Sequence, residues 1–167
     1  MRINITCLIT LFVIMYNFSS FSQMNFNSKL DDASKSSTLW LDNINNNKFS
    51  KAFESLSLNL KSLFDSLEWI SGMNDVIMPF GELKNRVEYS REFISDWSKT
   101  EYEMMYEYPN GYYAIFKYHV YYEFTHNHTE NLILHQDDNK RWRVLDYGYE
   151  YTEAKGYKEY TLPNLPN

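Results

Sequence analysis

The sequence predicts an α+β domain, with three N-terminal helices packed on a curved antiparallel sheet of about four strands. Two observations lead there. Apolar residues recur at helical spacing between Leu30 and Ile77. Beyond Gly81 the chain changes to segments rich in Tyr, Phe and Val, separated by hairpin signals. Helices first and a meander of strands afterwards is the arrangement in which helices cover one face of a sheet.

The first helix is marked by Leu30, Ala33, Trp40, Leu41 and Ile44, with Ser37 filling the gap in their stripe. Asn45-Asn46-Asn47 stops it, because Asn tolerates the left-handed conformation that ends helices. Phe49, Ala52, Phe53 and Leu56 form a short second helix. Leu60, Leu63, Phe64, Leu67, Ile70, Met73 and Ile77 share the stripe of a third. Asp65 and Glu68 have the spacing of a capping box that would restart it, and Pro79 and Gly81 end it.

Pro109-Asn110-Gly111 reads as a turn before an alternating strand. Tyr112, Ala114, Phe116, Tyr118, Val120, Tyr122 and Phe124 share its core face, and Lys117, His119 and Glu123 the wetter one. Leu132 and Leu134 join the core face if an odd-length loop spans about His126 to Thr129, since a one-residue slip would turn both outward. Asp137-Asp138-Asn139-Lys140 makes the next turn, after which Trp142 and Val144 face in and Arg141 and Arg143 face out.

The N-terminus has the three parts of a secretory signal: Arg2, an apolar run from Cys7 to Tyr16, and Ser20-Phe21-Ser22 as a small-x-small cleavage site before Gln23. That run is shorter than the roughly 20 residues a membrane-spanning helix needs. The expected division is a signal peptide over 1–22, one domain over 23–151 and a loose tail over 152–167 carrying Pro163 and Pro166. The expected product is exported to the periplasm or the medium, with no stable membrane insertion after cleavage. Cys7 is the only cysteine and departs with the leader, so disulfides, thiolate metal sites and cysteine nucleophiles are excluded. Formal charge is -6, and losing the leader with its single Arg leaves the mature part at -7. That balance argues against nucleic acid or an anionic membrane as partner.

Several landmarks, read in order between Thr38 and Tyr149, resemble an exported bacterial family, domain of unknown function 4019. They are Trp40-Leu41 with Ile44, the Asn45 to Phe49 turn, Trp69, Pro79-Phe80-Gly81, Arg86, Pro109-Asn110-Gly111 with Tyr113, Glu130, Trp142-Arg143-Val144 and Tyr147. Two departures stand out: Ile77 where the family usually has Arg, and Asp146 where it usually has Gly. The resemblance implies architecture and export and supplies no mechanism. By analogy of fold alone, three helices on a curved sheet also look like the nuclear-transport-factor-2-like and cystatin-like domains.

Candidate chemistry is sparse. His119, His126, His128 and His135 lie on one hairpin, where a three-residue loop would set His119 opposite His135 as a potential metal pair. The plainer expectation is ordinary surface histidines, with His126 and His128 flanking the turn. The register that buries Trp142 and Val144 points Asp146 to the same side, making Tyr118, Tyr122, Trp142 and Asp146 a candidate binding set. A carboxylate in such an aromatic cavity has a raised pKa and can act as a proton-transfer base. The alternative, which the sequence favours, is that the strand is already leaving the core at Asp146. The many tyrosines between 112 and 151 suit either a stacking platform for sugars or peptides or plain strand structure. Asn127-His128-Thr129 fits a glycosylation acceptor pattern common by chance. No hydrolase elbow, zinc-protease helix, phosphate loop or dinucleotide fingerprint is present. No cofactor, metal or catalytic residue is expected. The expectation is a non-catalytic binding or accessory module for a protein or small molecule, the alternative a binder or enzyme with a pocket between helices and sheet.

Overall fold

The computed structural model describes residues 26–100 and 108–153. The signal-peptide expectation for 1–22 lies outside these residues, as does the expected 152–167 tail except for Thr152 and Glu153, which belong to the last strand. Within them the protein is α+β, with N-terminal helices packed on an open four-stranded antiparallel sheet in the order β1-β2-β3-β4. The helices are α1 (26–45), α2 (Phe49–Glu54), α3 (Leu58–Lys61) and α4 (Ser66–Ile77), followed by a 3-10 turn over Met78–Phe80. The strands are β1 (Leu83–Ile94), β2 (Tyr113–Tyr122), β3 (Thr125–Gln136) and β4 (Trp142–Glu153). Among the described residues no helix is long and apolar enough to cross a membrane.

The α1 stripe is buried as its spacing requires, through Ala33, Ser37, Trp40, Leu41 and Ile44. Asn47, with φ at 56°, closes the helix in the left-handed region. Trp40 then ties α1 to α2 by donating its indole Nε1–H to the Ala52 carbonyl at 3.1 Å. The third expected helix is two. Asp65 caps α4 by accepting from the Leu67 amide at 2.9 Å. This restart turns Leu63, Phe64 and Leu67 to solvent, while Trp69 and Ile77 remain buried.

On β2 the alternation holds from Ala114 to Tyr122, all in the main core, whereas Phe124 is exposed in the tight turn between β2 and β3. Phe116 pairs with Leu132 and Ala114 with Leu134, so the leucines face the core as the odd-loop rule demands. The turn is earlier than expected, because the pairing centres on Phe124 rather than on 126–129. His119 therefore sits opposite Thr129, and His135 opposite Tyr113. The two histidines do not meet.

The sheet carries four register shifts, two between β1 and β2 and two between β3 and β4, and such bulges bend the strands that carry them. The start of β4 is covered by residues 55–57, where Ser57 N–H donates to the Val144 carbonyl at 2.7 Å and Val144 N–H to the Ser55 carbonyl at 3.1 Å. A second, smaller core of Ile94, Trp97, Tyr113, Ile115, Ile133 and Leu145 covers one end of the sheet face turned away from the helices.

Candidate functional site

A charged cluster lies sealed between the helices and the sheet. The parity that sends Leu132 and Leu134 inward sends Glu130 inward too, and its side chain is fully buried. Arg86, on β1, reaches it across β2: Nε donates to Oε2 at 2.7 Å and Nη2 to Oε1 at 3.0 Å. Tyr147 and Tyr122 add hydroxyl donors to Oε1 at 2.9 and 3.2 Å. Nη2 of Arg86 also donates to Asn45 Oδ1 at the end of α1. Burial alone would lower the Arg86 pKa, but the adjacent Glu130 more than offsets it and holds the guanidinium above its ordinary value. Burial first, and the negative Glu130 second, hold the Tyr122 and Tyr147 phenols well above theirs. Arg86 therefore stays charged and the two phenols stay neutral at neutral pH, and the hydrogen bonds of the cluster satisfy one another. The sequence offered a signal for this cluster, since a carboxylate on the core face of a strand demands a cation, but nothing in it names the residue 44 positions away.

The candidate set Tyr118, Tyr122, Trp142 and Asp146 does not assemble. Tyr118, Tyr122 and Trp142 are packed in the main core at 6, 6 and 7% exposure. Tyr118 bonds Ser37 hydroxyl to hydroxyl at 2.6 Å, and burial pushes its pKa up to about 12. Asp146 is on the other face. Leu134 pairs with Val144 but Ile133 with Asp146, so Leu145 is an extra residue that reverses the alternation. Asp146 there accepts a hydrogen bond from the Tyr108 hydroxyl at 3.1 Å.

Two of the four histidines also depart from expectation. His119 and His126 are exposed, but His128 and His135 are buried, at 1 and 9%. His128 falls on β3, inside an aromatic ring set of Phe80, Tyr122, Tyr149 and Tyr151, with Nδ1 3.0 Å from Thr125 Oγ1. Burial lowers its pKa. The shifted turn is the reason, since it makes 125–128 strand rather than loop. Among the described residues no group of three His, Cys, Asp or Glu is placed to hold a metal.

One concavity that faces solvent lies on the sheet face away from the helices, beyond the smaller core. It encloses about 390 Å³, and its lining includes Tyr89, Lys117, Thr129, Asn131, Gly148 and Glu150. Asn131 lies opposite Lys117 on one side and Gly148 on the other. Gly148 has no side chain to rise from the sheet, and a Cβ built there would meet nothing within 4 Å. Tyr89 is the extra residue of the bulge between Glu88 and Ser90, and its ring stacks on His119 at 4.2 Å. None of these six residues was singled out from sequence as a site, because the groove is made by four strands together.

The sequence finds no match among curated proteins. It does match the model of a protein family of unknown function, DUF4019, over residues 36–147. That stretch includes Asn45, Arg86, Tyr122, Glu130 and Tyr147, and the groove residues Gly148 and Glu150 lie just beyond it. With two thirds of its length matched in order, and with the fold built around those residues, the chain belongs to the DUF4019 family.

Proposed function

We propose that this protein is an exported, non-catalytic binding module of the cell envelope or the surrounding medium, and that it binds on the outer face of its sheet. Export rests on the Arg2, Cys7–Tyr16 and Ser20–Ser22 pattern of the leader. The binding reading rests on one contrast: the main core packs between helices and sheet, while a concavity opens on the opposite face. An enzyme using the interior would need an acid or base within reach of a reactant. Glu130, the buried carboxylate among the core tyrosines, has both oxygens taken by Arg86, Tyr122 and Tyr147. Its role is internal.

The test has two parts. Mass spectrometry of protein recovered outside the cytoplasm should show a chain beginning near Gln23, and an intact Met1 terminus on membrane-bound protein would overturn export. A panel of hydrophobic small molecules should leave the melting temperature unchanged. A ligand that raises it and perturbs Tyr118, Tyr122 or Trp142 would put the site between helices and sheet instead.

A further inference from the structure

Resting on the reading that the outer face binds, we infer that the groove around Gly148 takes a neutral sugar ring, as a free saccharide or as one unit of a surface glycan. Two backbone irregularities meet at this groove. Glycine inside a strand weakens it and often marks close approach by a ligand or another backbone. Gly148 serves no visible steric need, as a Cβ there meets open space and its φ is not positive. Bulges re-aim side chains, commonly beside functional sites. The one at Tyr89 lays a half-exposed ring over His119 at the groove wall.

The lining selects the chemistry. An aromatic face carries partial negative charge and accepts the weakly positive C–H face of a pyranose. Around it stand the Thr129 hydroxyl, the Asn131 amide, the Glu150 carboxylate and Lys117, a mixed set of donors and acceptors suited to ring hydroxyls. Asn131 Oδ1 is buried with no donor among the described residues, so a ligand hydroxyl that draws the amide round recovers a bond. Phosphate is disfavoured, since Lys117 is the one cation among the lining residues and Glu150 lies in the same lining. An extended peptide would pair along a strand edge, whereas this lining crosses the face from β1 to β4. The 390 Å³ volume is at the small-ligand end of the usual range and fits one or two rings.

Amide chemical shifts of the 23–167 chain, followed by NMR, test this with cellobiose, maltose, lactose and N,N′-diacetylchitobiose, each up to about 20 mM, and with trialanine and inorganic phosphate as controls. At least one disaccharide should shift Lys117, Thr129, Asn131, Gly148 and Glu150 with a Kd of order 1 mM. Gly148→Leu, which fills the groove, and Tyr89→Ala, which removes its wall, should each weaken this binding about tenfold or more with unchanged melting. Retention on an insoluble glycan of the same linkage, lost in Gly148→Leu, would assign the source as a surface polymer. Binding of the free disaccharide alone would assign a solute. Silence with all four sugars, or shifts in the groove only with trialanine or phosphate, would overturn the sugar and leave the outer-face reading standing. Shifts confined to Tyr118, Tyr122 and Trp142 would overturn both.

Discussion

Arg86 and Glu130 meet as a two-point ion pair that spans β2, joining strands that are not neighbours in the sheet. Val120 and Tyr118, their partners on β2, lie between them. A pair so enclosed contributes less net stability than its Coulomb energy suggests, since both charges have lost water. Its disruption is another matter.

Glu130→Gln keeps the shape and leaves the guanidinium buried without a counter-charge, which should cost about 3 to 5 kcal/mol. Arg86→Met should cost less in that background than in the wild type, because the Glu130 charge it would strand is already gone. Urea denaturation of the two single variants and the double variant measures both effects. Single losses below about 1 kcal/mol that simply add would mean that the pair is solvated.

The buried hydroxyl pair of Ser37 and Tyr118 joins α1 to β2. Ser37→Ala strands the phenol and should cost about 1 to 3 kcal/mol. Tyr118→Phe should cost less, since the Ser37 hydroxyl can turn to a carbonyl one turn back in its helix. Adding Tyr118→Phe to Ser37→Ala should restore part of the loss. A double variant as unstable as the sum of the singles would argue against the bond.

His128 makes stability depend on pH. Burial holds its folded pKa below the ordinary 6.5, with Arg86 acting in the same direction and Glu130 opposing. The unfolded chain therefore binds more protons in the window below 6.5. This contribution is complete above that pH and is lost as pH falls toward the folded value. Melts of wild type and His128→Phe between about pH 5 and 8 should diverge on the acid side, with the variant showing the shallower decline. Parallel curves would remove His128 as the cause.

Gly81, just before β1, and Gly148, inside β4, should respond in opposite ways to alanine. At Gly81, φ is 77° and a new Cβ would sit 2.7 Å from Phe124 Cδ2 and 2.9 Å from Glu123 Cβ, so Gly81→Ala should cost more than about 1 kcal/mol. At Gly148 the space is open, and Gly148→Ala should be neutral or stabilising by up to about 1 kcal/mol. Thermal unfolding checks both. A destabilised Gly148→Ala would mean that the strand itself needs glycine there.

The candidate site was less legible than the fold, and Asp146 shows why. Counting by twos from Trp142 and Val144 puts it inside, a rule that holds only while the strand stays in register. One inserted residue at Leu145 reverses it, and no residue type in Val144-Leu145-Asp146 announces the insertion. His128 reads as a turn residue for a related reason: the Asn127 neighbourhood has turn character, and Asn127 does have φ at 50°, but it is a bulge within β3 rather than the end of the hairpin.

The sequence by itself determined what depends on near neighbours. The α1 stripe, the Asn47 stop, the Asp65 restart and the inward parity of Phe116, Leu132 and Leu134 follow from side-chain spacing along a single element, or from counting across one short turn. Only the tertiary structure decided which distant residues meet. The Arg86–Glu130 pair joins positions 44 apart, the aromatic enclosure of His128 draws on the 3-10 turn and two other strands, and the groove around Gly148 needs side chains from all four strands. The physical reason is that local pattern selects a face, whereas bulges and strand pairing choose the neighbour on that face.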